Sequence, residues 1–239
     1  MSKKTAYVIR HLMFEDLGSF KQVLIDNNFT IKYFDAGIDS FGEIIDSPPN
    51  LLVILGGPIS VNNPKDYPFI NDEIDLLVNR ITLKQPIIGI CLGAQLIAKA
   101  LGAGVFPCKR EIGWSKLQID ELGERRPINI LSKTPVFHWH GEAFELPPQA
   151  TLLAKTDSCN QAFSIDNYLL GLQFHPEVIK KDLEKWFIGH TVEIQHASQV
   201  ELQVLRRDTA LFGDKLEMIA KEFWKKTLQE MGLIDCNYK

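Results

Sequence analysis

The chain has 239 residues, of which 45% are hydrophobic, 10% aromatic and 23% charged, values that exclude a disordered or fibrous protein. With 26 Lys and Arg against 30 Asp and Glu, the formal charge of −4 argues against a dedicated nucleic-acid binder, whose affinity needs a basic face. No stretch approaches the roughly 20 apolar residues of a membrane span, and the opening MSKKTAYVIRHLMF turns polar too soon for a secretory leader.

The first half alternates strand and helix patterns. Ala6 to Arg10 reads as a short buried strand, Leu17 to Asn27 as a helix with Phe20, Val23 and Leu24 inward, and Phe29 to Asp35 as a β-branched and aromatic strand. Leu51 to Leu55 is an unbroken apolar run closed by Gly56-Gly57-Pro58, as expected of a strand covered on both faces. Asp72 to Ile81 predicts a helix with Ile74, Leu77, Val78 and Ile81 on its buried stripe. Pro86 to Ile90 is again strand-like and Leu92 to Leu101 helix-like. Such alternation predicts an α/β fold, with a mostly parallel central sheet flanked by helices.

From Val105 the texture changes. Lys116 to Asp120, Pro135 to Trp139, Thr151 to Lys155, Gln161 to Ile165 and Tyr168 to Phe174 read as short strands, with Asp166-Asn167 as a hairpin turn. The sheet should therefore carry an antiparallel portion. After Val178 the strands stop. Lys180 to Ile188 and Lys215 to Met231 predict amphipathic helices, the second through Leu216, Ile219, Phe223 and Leu228. The expected organisation is a catalytic domain over residues 1–184 and a helical extension over 185–239 that docks on it. The four cysteines make no disulfide framework, so Cys91, Cys108, Cys159 and Cys236 are read singly and a reducing cytoplasm is expected.

Cys91 stands out. In Ile88-Gly89-Ile90-Cys91-Leu92-Gly93-Ala94-Gln95 an apolar strand ends at the cysteine and a helix begins beyond it, with glycines on both sides. Small flanks are what a sharp strand–nucleophile–helix turn needs. A thiol at a helix N-terminus meets the positive end of the macrodipole, which favours the reactive thiolate, and the Leu92 amide is positioned to serve an oxyanion. The Gly56-Gly57 turn is too short for a dinucleotide or Walker loop. Its glycines would let a substrate carbonyl approach main-chain N–H groups.

A cysteine nucleophile needs a base, and the base an orienter. His175 follows an apolar strand in Gly171-Leu172-Gln173-Phe174-His175-Pro176-Glu177, and Glu177 lies two residues on, where extended backbone would turn both side chains the same way. His138 and His140 in Phe137-His138-Trp139-His140-Gly141 are a rival pair that spacing alone does not separate. Without a CxxC or HExxH companion, His138-x-His140 predicts no metal site.

Gly56-Gly57-Pro58-Ile59-Ser60-Val61, the Cys91 segment and Gly171 to Glu177, in this order, resemble the class I (triad-type) glutamine amidotransferase domain, and within it the stand-alone GMP synthase-like members. Glu111-Ile112-Gly113-Trp114, His138 to Glu142 and Asn160 to Phe163 are similar to the same subgroup, and the resemblance spans roughly residues 5–184. It implies a flavodoxin-like fold in which Cys91 forms a γ-glutamyl thioester with glutamine. His175 would act as base and then as proton donor, oriented by Glu177. The amides of Leu92 and Gly57, beside Gly56, would hold the oxyanion. Gln95, His140 and Gly141 would line the substrate pocket. Glu142 departs from an Asp common among relatives.

No cofactor and no metal are implied. The expected ligand is glutamine or a γ-glutamyl compound, with a separate ammonia-accepting synthetase as partner, and neither nucleic acid nor membrane. Residues 185–239 are expected to be too short for a synthetase domain, and no Ser-Gly-Gly-x-Asp-Ser loop is present. A glutaminase subunit and a self-sufficient γ-glutamyl hydrolase both remain open. A non-catalytic binding module would have little reason to keep Cys, His and Glu together.

Overall fold

In a computed structural model, residues 3–197 and 199–236 are described. In chain order the elements are β1 (Lys4–Arg10), α1 (Ser19–Asp26), β2 (Phe29–Asp35), α2 (Gly42–Asp46), β3 (Leu51–Ile54), α3 (Phe69–Thr82), β4 (Ile87–Ile90), α4 (Leu92–Ala100) and β5 (Val105–Ser115). There follow β6 (Gln118–Ile119), β7 (Val136–Phe144), β8 (Thr151–Lys155), β9 (Asn160–Ile165), β10 (Leu169–Leu172), α5 (Leu183–Gly189), α6 (Thr191–His196) and α7 (Leu202–Glu230).

An eight-stranded sheet runs β2-β1-β3-β4-β10-β9-β8-β6, while β5 and β7 form a separate two-stranded ribbon. The members from β2 to β10 are mutually parallel; β9, β8 and β6 add the antiparallel portion. The period-2 alternation of strands sends Ala6 and Val8 of β1 to one face and Tyr7 and Ile9 to the other. The first face carries α1, α5 and α7, the second α2, α3 and α4. This three-layer α/β arrangement is the expected fold class.

Several local expectations need correction. On α3 the buried residues are Ile70, Glu73, Leu76, Leu77 and Arg80, whereas Val78 is 45% exposed. The apolar stripe is rotated because two charged side chains have buried work. Glu73 meets His11, and Arg80 donates from Nη2 to the carbonyls of Pro49 at 3.3 Å and Pro86 at 2.9 Å. Burial brings the Arg80 guanidinium down to about 10. Strand β5 had no place in the sequence reading. Its Lys109-Arg110-Glu111 run breaks the alternation where its register against β7 shifts between Pro107 and Glu111.

The long C-terminal helix starts at Leu202, not Lys215. It lies against α1, β5 and the 3-10 turn at Pro127–Leu131. Trp224 stacks on Phe20 with ring centroids 4.3 Å apart, and both are fully buried. Arg126 pairs with Glu230 at 2.8 Å at the far end of α7. Among the described residues no helix is long and apolar enough to cross a membrane.

Candidate active site

Strands β4 and β10 are parallel neighbours with Ile90 opposite Leu172, so whatever follows their C-terminal ends meets at one sheet edge. Cys91 follows β4 directly and its amide donates to the Leu172 carbonyl at 2.7 Å. Its backbone has φ 53° and ψ −108°, a conformation L residues rarely adopt and one that costs on the order of 1–3 kcal/mol. The turn closes only because its neighbours lack side chains. A Cβ on Gly89 would stand 2.5 Å from the Gly93 carbonyl oxygen, and one on Gly93 would stand 2.7 Å from the Ile54 carbonyl carbon.

His175 comes three residues after β10. Its amide donates to the Phe137 carbonyl at 2.8 Å, an isolated antiparallel bridge that ties it to β7. Glu177 Oε1 lies 2.7 Å from His175 Nδ1, and both side chains are buried. The chain reaches this geometry in a turn, not in the extended backbone the i, i+2 spacing suggested, because β10 stops at Leu172. The edge of Trp186 closes on the imidazole, with centroids 4.8 Å apart and planes at 80°.

Burial works against charging His175, but the Glu177 charge, hydrogen bonding with Cys91 and the Cys91 charge raise its pKa well above the ordinary imidazole value. Nε2 of His175 has no hydrogen-bond partner of regular geometry among the described residues. The Cys91 thiol is turned to the Trp139 carbonyl at 3.6 Å.

Above Cys91 opens a cavity of about 770 Å³. Of the sequence-predicted residues, Cys91, Gly57, Gln95, His140 and Gly141 line it. Gln95 is clamped, with Nε2 donating to the Glu142 carbonyl and to Gln173 Oε1, each at 3.2 Å. Leu92 is the first residue of α4, so its amide has no acceptor within the helix. Leu92, His175 and Glu177 sit behind the wall, not on it. So does Gly56, where a Cβ would come within 3.2 Å of His175 Cε1.

The structure adds residues that sequence reasoning missed. His11 Nδ1 lies 3.0 Å from the Gly56 carbonyl, and its Nε2 is held by buried Glu73 at 3.2 Å. Burial opposes a charge on His11, but the hydrogen bond with Glu73 and its charge raise the pKa. Glu15 and His190 pair at 3.0 Å on the cavity wall, 175 positions apart in sequence. Ser60 Oγ donates to Glu142 Oε1 at 2.8 Å. The outer wall comes from α5 and α6: Trp186, His190, Val192 and Glu193 all lie beyond residue 184. Glu193 accepts from Trp139 Nε1 at 2.8 Å and faces Arg110 at 3.7 Å.

The rival histidines separate. His138 is buried off the cavity, neither ring nitrogen has a hydrogen-bond partner of regular geometry, and burial brings its pKa down to about 4, helped by the charge of His140. His140 lines the cavity but is held by Glu111 at 3.3 Å and by the Glu142 carbonyl at 3.1 Å. Cys108 and Cys159, read singly from sequence, converge on this same ring. Hydrogen bonding from Cys159 brings the Cys108 thiol down to about 5 against its burial, and the Cys159 thiol is pushed up in return.

The glutamine amidotransferase class-I family profile matches residues 16–193. The glutamine amidotransferase-like protein YfeJ of Salmonella typhimurium is 32% identical over 205 residues, covering 81% of each chain. The glutamine-hydrolysing GMP synthase of Gloeothece citriformis is 32% identical over 184 residues, which make up 72% of this chain but only 32% of that enzyme. Among solved structures, a glutamine amidotransferase of Thermotoga maritima is 28% identical and superposes with a TM-score of 0.82, covering 97% of this chain and 99% of that one. An α/β sheet whose β4 edge carries a strained cysteine, matched to one profile over most of its length, leaves one assignment: the chain belongs to the class I glutamine amidotransferase family.

Proposed function

We propose that the protein hydrolyses the γ-amide of glutamine or of a γ-glutamyl compound through a thioester on Cys91. The observation that carries this reading is the meeting of a cysteine in a strained strand-to-helix turn with a buried His175–Glu177 pair beneath an open cavity.

His175 takes the Cys91 proton, and its raised pKa supports holding that proton while the sulfur attacks. The sulfur bonds to the γ-carbonyl carbon and the C=O electrons move to oxygen. The Leu92 and Gly57 amides receive that oxyanion, each worth on the order of 3 kcal/mol in the transition state. Collapse breaks the C–N bond, and His175 gives its proton to the departing ammonia or amine. Water, deprotonated by the same ring, then releases glutamate from the thioester. Glu142 and Glu193, with Arg110, offer charges of both signs to the zwitterionic end of a γ-glutamyl substrate.

The cavity of about 770 Å³ has room beyond the γ-carbonyl for more than an amide nitrogen, which favours γ-glutamyl amides or peptides as a second substrate class beside glutamine. Delivery of ammonia to a separate synthetase is the other use of the same chemistry. We take the helices after residue 184 as part of the catalytic unit, since they complete the cavity wall. The free thiols of all four cysteines support a reducing, cytoplasmic setting.

The test is a substrate panel. Glutamine and γ-glutamyl dipeptides are incubated with the protein, and ammonia, glutamate and free amino acid are measured. Release from glutamine alone assigns a glutaminase. Release from dipeptides assigns the hydrolase. No turnover of either, and no mass added to Cys91 by a glutamine-analogue electrophile, refutes the proposal.

A further inference from the structure

We propose that Cys108, His140 and Cys159 form a zinc site, with a water in the fourth position. One ligand atom from each of the three side chains can be chosen so that all lie within 4.8 Å of one another, although the cysteines are 51 positions apart in sequence. The bulged stretch of β5 supplies Cys108, β7 supplies His140, and the turn between β8 and β9 supplies Cys159.

The spacing fits an ion. Tetrahedral zinc, with bonds of about 2.3 Å to sulfur and 2.0–2.2 Å to nitrogen or oxygen, sets neighbouring ligand atoms roughly 3.3–3.8 Å apart. Here Cys108 Sγ is 3.9 Å from His140 Nδ1, and the ligand atoms chosen from Cys108, His140 and Cys159 all lie within 4.8 Å of one another. Whichever ring nitrogen binds, the other has an oxygen to receive its proton: the Glu142 carbonyl at 3.1 Å beside Nδ1, or the Glu111 carboxylate beside Nε2. Ligating histidines use such a partner to fix their tautomer.

Gln161 is fully buried beside the cluster, where its Nε2 donates to Glu111 Oε2 at 2.7 Å, and the Thr156 hydroxyl and Cys159 thiol donate to the same oxygen at 3.1 and 3.7 Å. These contacts hold the polar side chains together around the two thiols and the imidazole. Two thiols and an imidazole select zinc over magnesium or calcium. Binding needs thiolates, so any thiol protons leave to solvent as the Zn–S bonds form. An opening of about 440 Å³ beside Thr156, Ser158 and Cys159 gives the ion a way in.

The experiment measures metal, not turnover, so it stands or falls apart from the glutaminase reading. Reduced, chelator-stripped full-length protein is equilibrated with zinc, desalted and assayed for bound metal. The expected content is ~1 zinc per chain in the wild type, falling ~10-fold or more in Cys108→Ser and in Cys159→Ser. Cys236→Ser, an exposed cysteine outside the cluster, should bind as the wild type does. Cobalt in place of zinc should give thiolate-to-metal charge-transfer absorption. That spectrum is read on wild-type protein, so it decides even where a variant fails to fold. A folded, reduced wild type that retains no stoichiometric zinc and gives no thiolate–cobalt absorption overturns the proposal. So does a Cys108–Cys159 disulfide that persists under those conditions, or zinc binding unchanged in both serine variants.

Discussion

Glu177 reaches Nδ1 of His175 at 2.7 Å, which leaves Nε2 as the one ring nitrogen free to serve the sulfur of Cys91. On the proposed mechanism the carboxylate would fix the tautomer and the direction of proton transfer together.

Replacing Glu177 with Gln keeps a hydrogen-bonding group but removes the charge that holds the His175 pKa up. The imidazolium then loses its proton at lower pH. The alkaline limb of kcat/KM should move to lower pH and the rate should fall by ~10–100-fold, less than for His175→Ala. A pH–rate profile checks this, and an unmoved alkaline limb contradicts it.

Cys91→Ala should abolish turnover while leaving the fold intact by circular dichroism. The positive φ makes a sharper test. Cys91→Gly relieves the backbone that Cys91→Ala keeps strained, so it should unfold at higher denaturant, by about 1–2 kcal/mol. Equal stability of the two variants would show that the turn relaxes at no cost.

A methyl group on Gly57 would stand 2.7 Å from His11 Cβ and 3.0 Å from Leu92 Cδ2, so Gly57→Ala must shift the loop. If its amide receives the oxyanion, kcat should drop by ~100–1,000-fold with far less change in KM. Steady-state kinetics on glutamine separate the two. A KM effect alone would assign the loop to ground-state binding.

The His11–Glu73 pair gives a pH signature in stability. The folded-state pKa of His11 is raised above its unfolded value near ~6.5, so its contribution is complete below that pH and fades as pH rises through the folded value. Glu73→Gln removes it. The stability gap between wild type and variant should therefore be widest at acidic pH and narrow on the alkaline side. Urea melts across that range measure it, and a gap independent of pH would assign Glu73 a packing role only.

What the sequence could show was local. Cys91 was legible because strand, turn and helix succeed one another within eight residues, and Glu177 because it lies two positions from His175. The sheet's parallel half was legible for the same reason, each strand being a continuous apolar run. Pairings across long loops were not. Glu15 with His190, and Cys108 with Cys159, meet only once the sheet edge and the β5–β7 ribbon are assembled. Buried charge also misled the helical periodicity, since Glu73 and Arg80 occupy α3 positions that an apolar stripe would claim. Strand β5 hid behind its own Lys-Arg-Glu run.

The Cys91 turn is set by β4 and α4, whereas the outer wall facing it comes from two short helices near the end of the chain. On the proposed mechanism these helices shape the space for the leaving group, while Trp186 also packs on His175 with centroids 4.8 Å apart. Exchanging residues 183–196 between relatives should therefore change the amine released and the pH–rate profile together.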